Sequence, residues 1–160
     1  MLKIREATVQ DVPLILSLIR ELAEYEREPS AVRATEQDLI RDGFSENPKF
    51  RVIIAESDDQ PAGMAFFFHH YSTWQGRHGL FLEDFFVRPE FRGEGVGKAL
   101  MVSLARIAIA ENCYGMRWEV LDWNTTAIDV YQRLGAHFRE HWRVMQITGE
   151  DLKRLSETEL

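Results

Sequence analysis

The sequence predicts a single α/β domain, with a mixed sheet and helices on both faces. Three observations lead there. The first half holds short apolar, β-prone runs joined by a hairpin signal. A strand then runs through a glycine-rich turn straight into an apolar helix, and the second half alternates strand, helix, strand, helix, strand. The chain has 160 residues, close to the length of one ordinary domain. Hydrophobic residues make up 45% and charged residues 28%, the balance of a globular protein with one continuous core.

Each element has a local signal. Met1-Leu2-Lys3-Ile4-Arg5-Glu6 alternates like a strand. Asp11 is placed to cap a helix whose first turn tolerates Pro13. Leu14, Ile15, Leu18, Ile19 and Leu22 keep helical spacing to about Tyr25. Glu36 to Asp42 reads as a shorter helix stopped by Gly43. Phe50–Glu56 and Ala62–His70 flank Asp58-Asp59-Gln60-Pro61 as a hairpin, and Leu80–Val87 is a further strand. Lys98 to Ala110 is helical, Arg117–Leu121 a strand, Thr125–Leu134 a helix ended by Gly135, and His141–Ile147 a last strand. Glu150 to Leu160 reads as a solvated helix with a frayed end.

Composition narrows the partners. The net charge of −7 and the scattered basic residues exclude a nucleic-acid binder, which needs clustered positive charge. An acidic chain favours a small cationic ligand through long-range attraction. Cys113 is the only cysteine, so no internal disulfide forms, as expected in a reducing cytoplasm. No signal-peptide-like or membrane-spanning run is present, so a soluble cytoplasmic protein is expected. Two adjacent histidines, His69 and His70, point to opposite sides of a strand and have no evident third ligand, so no metal is expected.

The most informative stretch is Val87-Arg88-Pro89-Glu90-Phe91-Arg92-Gly93-Glu94-Gly95-Val96-Gly97-Lys98. Glycines let backbone N–H groups converge without Cβ obstruction, and the following helix N-terminus adds unpaired donors. Such a loop suits a phosphate or pyrophosphate. The spacing is not G-x-G-x-x-G, and Ala99 stands where a Walker loop has Ser or Thr. A tight strand-to-helix turn without ligand fits the glycines equally well.

Arg92-x-x-Gly95-x-Gly97 after Phe85-Phe86-Val87, with Asn124 and Tyr131 downstream, resembles the acetyl-CoA loop and closing motif of the GNAT acetyltransferases. Glu21–Glu26, Asp42-Gly43-Phe44, Tyr71–Trp74, Leu82–Val87 and Val120–Asn124 resemble the diamine and thialysine acetyltransferases within that superfamily. The resemblance covers nearly the whole chain. It implies a mixed sheet splayed near its middle, with acetyl-CoA in the opening as co-substrate. Backbone groups of Phe85, Phe86 and Val87 would pair with pantetheine. Arg92, Gly93, Glu94, Gly95, Val96, Gly97 and Lys98 would cradle the pyrophosphate, the Glu94 side chain pointing outward, and Asn124 would hold the pantetheine arm. A homodimer is also implied.

The chemistry needs a neutral amine, a polarised thioester and a proton for the leaving thiolate. A lysine-like amine is neutral in only about one molecule in 2,500 at pH 7. Glu83 and Asp84 interrupt an apolar strand, where a lone carboxylate is costly; regular alternation places them on opposite faces. The resemblance implies that Glu83 accepts the amine proton through water and that Asp84 attracts the cation. Tyr131 reads by pattern as a core residue beside Ile128 and Leu134, whereas the resemblance makes it the general acid toward sulfur. It also places Tyr25, Glu26 and Trp74 at the acceptor; Trp74 fits either a cation contact or a loop anchor. Ser72 and Thr73 depart from the polyamine pattern and favour shorter diamines or lysine-like amines. The expected activity is acetyl transfer to such an amine by direct attack in a ternary complex. The alternatives are a protein or aminoglycoside acetyltransferase, or a non-catalytic acyl-CoA sensor.

Overall fold

A computed structural model describes residues 1–158. Five strands form one mixed sheet in the order β1 (Leu2–Glu6), β2 (Arg51–Ser57), β3 (Gln60–Ser72), β4 (Arg77–Val87) and β5 (Met116–Trp118). The first four pair antiparallel, and β5 joins β4 in parallel. The helices are α1 (Val12–Tyr25), α2 (Glu36–Gly43), α3 (Val96–Ala110), α4 (Thr125–Arg133) and α5 (Gly149–Ser156). The chain divides into two compact units, Met1–Glu119 and a second beginning at Val120. The sheet and α1–α3 belong to the first, α4 and α5 to the second.

The first unit has a core on each side of its sheet. Val12, Ile15, Leu16, Leu18 and Leu22 of α1 and Leu39 of α2 pack against Val52, Ile54, Met64 and Phe86. Ile53 and Ala55 are equally buried but alternate to the opposite face, where α3 lies across the sheet with Val96, Leu100, Met101, Leu104 and Ala108 buried. Helices on both faces are as the sequence predicts. Fully burying a Leu or Ile side chain is worth about 1.5–3 kcal/mol, so these paired faces dominate the unit's stability.

Local chemistry explains the early elements. Asp58 and Asp59 both have positive φ (48° and 61°), the pattern of a two-residue hairpin turn. Thr35 caps α2 reciprocally with Asp38: Thr35 Oγ1 accepts from the Asp38 N–H, and Asp38 Oδ2 accepts from the Thr35 N–H. Asp11 corrects one expectation, for its carboxylate does not cap α1. It accepts two hydrogen bonds from Arg5 at 2.8 Å and one from the Thr8 N–H at 2.7 Å, closing the turn before the helix.

The later strands depart from the sequence reading. β5 is three residues, not Arg117–Leu121, and His141–Ile147 is not a strand. An alternating pattern makes a strand only when a neighbouring backbone supplies the ladder. No such ladder includes these residues, and Trp142, Val144, Met145 and Ile147 are exposed. Conversely, β3 and β4 extend beyond their apolar runs, because pairing carries on through Tyr71↔His78 and Ser72↔Arg77.

Candidate active site

Two features of the first unit build the site. The β4–β5 ladder covers only Leu80–Leu82 against Met116–Trp118, although β4 continues to Val87. Just past that ladder, β4 carries a bulge: Phe67 pairs with Leu82 and Phe66 with Asp84, so Glu83 is the extra residue. A bulge bends a strand and re-aims its side chains. Leu82 and Asp84 therefore lie on opposite faces despite being two residues apart, which corrects the regular alternation assumed from sequence. Asp84 faces the α1 side with Phe66, and Phe86 follows it there.

The bulge places Asp84 near the end of α1. Arg88 fastens this corner: its guanidinium donates two bonds to Glu21 of α1, at 2.9 and 2.7 Å, and one to the Pro61 carbonyl at 3.0 Å. Burial pushes the Asp84 carboxyl up to about 6, with Glu83 and then Glu26 adding repulsion. Glu83 is raised by loss of hydration and by Glu119, which follows β5. Glu26, at the end of α1, is raised by burial. Four carboxylates thus act on one another where β4 and β5 part. Such a group is stabilised by an approaching cation, and Glu26, Glu83 and Asp84 are better proton acceptors than ordinary carboxylates. Glu119 was not legible in the sequence, because only the parallel pairing of β5 with β4 brings it within reach of Glu83.

The glycine loop borders this corner. Gly93 and Gly95 both have φ of +84°, a left-handed conformation that favours glycine, and Gly95 forms the N-cap of α3. Gly97 does not need that freedom; its open side faces Val87 and the Phe85 ring. Gly93, Glu94 and Lys98 are exposed, whereas the Val96 side chain is buried in the core, leaving only its backbone to meet a ligand. Arg92 lies over the Tyr25 ring at 4.8 Å and donates from Nε to the Val87 carbonyl at 2.9 Å. The loop is thereby tied to Tyr25 at the end of α1. A groove of about 480 Å³ continues from the loop along α3, lined by Gly95, Lys98, Ala99, Ser103 and Arg106. Convergent N–H groups at a helix start, with Lys98 and Arg106 alongside, fit a phosphorylated ligand. Arg106 was not marked in the sequence, since only the helical turn from Lys98 aligns it with the loop.

Other expected residues lie elsewhere. Trp74 is 85% exposed in the turn between β3 and β4. The six strand steps from Arg77 to Glu83 alone span about 20 Å at 3.3 Å per residue, with Trp74 in the turn beyond Arg77, so this chain does not bring the two together. In the second unit, Asn124 caps α4 by accepting from the Ala127 N–H at 3.3 Å. Tyr131 is half-buried on α4, a helix with no fully buried residue, and Leu134 is 42% exposed. The face that pattern alone marks as core is therefore not one.

The comparisons agree with this architecture. The model of the acetyltransferase (GNAT) family matches residues 14–136. The thialysine N-epsilon-acetyltransferase of Sus scrofa is 40% identical over 96% of both chains. The human spermidine/spermine N(1)-acetyltransferase-like protein 1 is 38% identical over 94% of this chain, which spans 23% of that longer protein. An integron cassette protein from the mobile metagenome of V. cholerae has a solved structure with a TM-score of 0.82, 28% identity and 98% of each chain covered. Mixed sheet, glycine loop and helix pattern thus coincide with sequence identity over nearly the full length, and the chain belongs to the GNAT acetyltransferase family.

Proposed function

We propose that this N-acetyltransferase takes its acetyl group from acetyl-CoA and transfers it to a small primary amine bearing a second positive charge. The acceptor is of the thialysine, lysine-like or short-diamine class. The observation that carries the acceptor is the group formed by Glu26, Glu83, Asp84 and Glu119 beside the glycine loop. A dication relieves repulsion that the protein otherwise sustains, and a neutral amine does not. The pig relative, named for thialysine acetylation, supports this class.

Arg92, the backbone N–H groups of Gly93–Gly97 and Lys98 hold the pyrophosphate, with Arg106 extending the positive surface along α3. Backbone groups of Phe85–Val87, beyond the end of the β4–β5 ladder, would pair with the pantetheine arm, and Asn124 would help hold it. The bound thioester supplies an activated acetyl carbonyl. Asp84 and Glu26 draw in the ammonium, with Tyr25 alongside. Glu83 removes its proton through water, helped by a pKa above that of an ordinary glutamate. The freed amine would attack directly in a ternary complex, Tyr131 would donate a hydrogen bond and then its proton to the departing sulfur, and the proton shed by the new amide nitrogen would return to the Tyr131 phenolate through water. Trp74 completes the acceptor site of a second copy in a homodimer. Cys113 as sole cysteine suits a cytoplasmic setting.

The test pairs a CoA-release assay over diamines, polyamines, lysine analogues and peptides with the Tyr131→Phe variant. Wild-type protein should turn over small dicationic amines best. Tyr131→Phe should keep its melting temperature and acetyl-CoA affinity while single-turnover kcat falls by about 10²–10⁴. Wild-type turnover in a folded Tyr131→Phe variant would remove Tyr131 from the chemistry. Absence of CoA release with every amine would favour the sensor reading.

A further inference from the structure

A second polar group gathers on the α3 side of the sheet, away from the carboxylates. His69 comes from β3, His78 from β4, and Cys113 from the turn after α3. One ligand-capable atom of each lies within 4.8 Å of the others. Glu111 borders the group at His69, its Oε2 2.8 Å from His69 Nε2. The Glu111 backbone carbonyl lies 2.9 Å from His78 Nε2. A carbonyl only accepts, so Nε2 carries the proton and His78 Nδ1 presents a lone pair. That is the arrangement by which an outer carbonyl orients a metal-binding imidazole.

One feature is unexplained by packing alone. The Cys113 thiol is buried beside two imidazoles rather than in an apolar nest. The ion pair between His69 and Glu111, and that between Glu111 and Arg51, account for the carboxylate but not for Cys113 or the orientation of His78.

We propose that His69, His78 and Cys113 form a site for a divalent transition ion of the zinc class, with solvent as the fourth ligand and Glu111 as an outer partner of His69. One thiolate and two imidazoles form a mixed S/N set of the kind zinc takes, leaving a fourth position open. Binding forms a metal–sulfur bond in place of S–H and releases that proton to solvent, with no change in oxidation state. Tetrahedral ligand atoms stand about 3.5 Å apart for bonds of 2.0–2.3 Å, so the group closes by about one ångström. His69 is at the exposed rim, with 38% of its side chain accessible, and gives the ion its entry. The bound ion would clip the β3–β4 hairpin to the C-terminal end of α3, the helix whose other end is the glycine loop. No sequence spacing announces the site, because its ligands come from two strands and the turn after α3.

The test titrates metal-free, full-length protein with Co²⁺ as the probe. Expected is one equivalent bound, with a thiolate-to-cobalt charge-transfer band, the intense visible bands of four-coordination, and displacement by Zn²⁺. Cys113→Ser should abolish the charge-transfer band. His69→Ala, at the exposed rim and safe for folding, should weaken Co²⁺ binding at least tenfold. A weak six-coordinate spectrum, a charge-transfer band that survives Cys113→Ser, or unchanged affinity in folded His69→Ala would each overturn the site.

Discussion

Asp84 lies where the bulge turns it toward the end of α1, and its carboxyl titrates near 6 instead of at its ordinary value near 4, chiefly through burial. A raised acid of this kind adds stability below the unfolded pKa and loses it as pH rises through about 6. Above about pH 6 the ionised side chain costs the folded state at most about 3 kcal/mol, two pKa units at 1.36 kcal/mol each. Asp84→Asn should therefore melt higher than wild type at about pH 7.5, with the gap closing as pH falls and gone near pH 4. The same substitution should raise KM for a dicationic acceptor and remove the acid limb near pH 6 from kcat/KM. Melting curves across that range, read beside the rates, check both halves. A lower melting temperature at pH 7.5 would contradict the burial of an unfavourable charge. Glu83 and Asp84 were legible as polar intruders in an apolar strand. The bulge was not, because it depends on how β3 registers against β4, and a single strand's sequence does not encode its neighbour's offset.

Among the elements, those set by neighbouring residues were mostly read correctly, the Asp11 cap excepted, and the ends set by distant pairing were not. Helix α2 follows from the Thr35–Asp38 box three residues apart, and the β2–β3 hairpin from Asp58-Asp59. The ends of β3 and β4 and the brevity of β5 follow from partners far along the chain. The glycine loop was visible in the spacing, yet its three glycines are not equivalent. Gly95 needs its positive φ, and a side chain there costs about 1–2 kcal/mol of backbone strain. A Cβ on Gly97 would meet Val87 Cγ2 at 3.7 Å and the Phe85 ring at 3.8 Å, ordinary contact distances. Gly95→Val should weaken acetyl-CoA binding about tenfold or more, while Gly97→Ala should stay within about twofold. Calorimetric titration of both folded variants decides it. Equal losses at the two positions would mean that the loop's conformation is not what the ligand reads.

At the scale of the molecule, the family and reaction were readable because the loop and Tyr131 motif travel together; the acceptor was not, because a few pocket side chains choose it. What the fold adds is a place for the negative charge: Glu83 and Glu26 repel the Asp84 carboxylate, and Glu119 repels Glu83, where β4 and β5 part. This concentration makes charge, rather than shape alone, the expected basis of selection. A dicationic amine gains twice, from steering by the whole acidic surface and from local relief of repulsion, whereas a neutral-tailed amine of equal length gains only from its single reacting ammonium. The two contributions separate by salt. Over about 0.01 to 0.15 M ionic strength the screening length falls from roughly 30 to 8 Å, so steering fades while contact at the half-buried Asp84 persists. The preference for the dication should therefore shrink with salt without vanishing, and the residue of that preference should disappear in Asp84→Asn. The measurement is kcat/KM for matched amines at low and physiological salt in both proteins. A preference that salt abolishes in wild type would assign selection to the surface field alone, and equal turnover of the two amines at low salt would refute an electrostatic acceptor site.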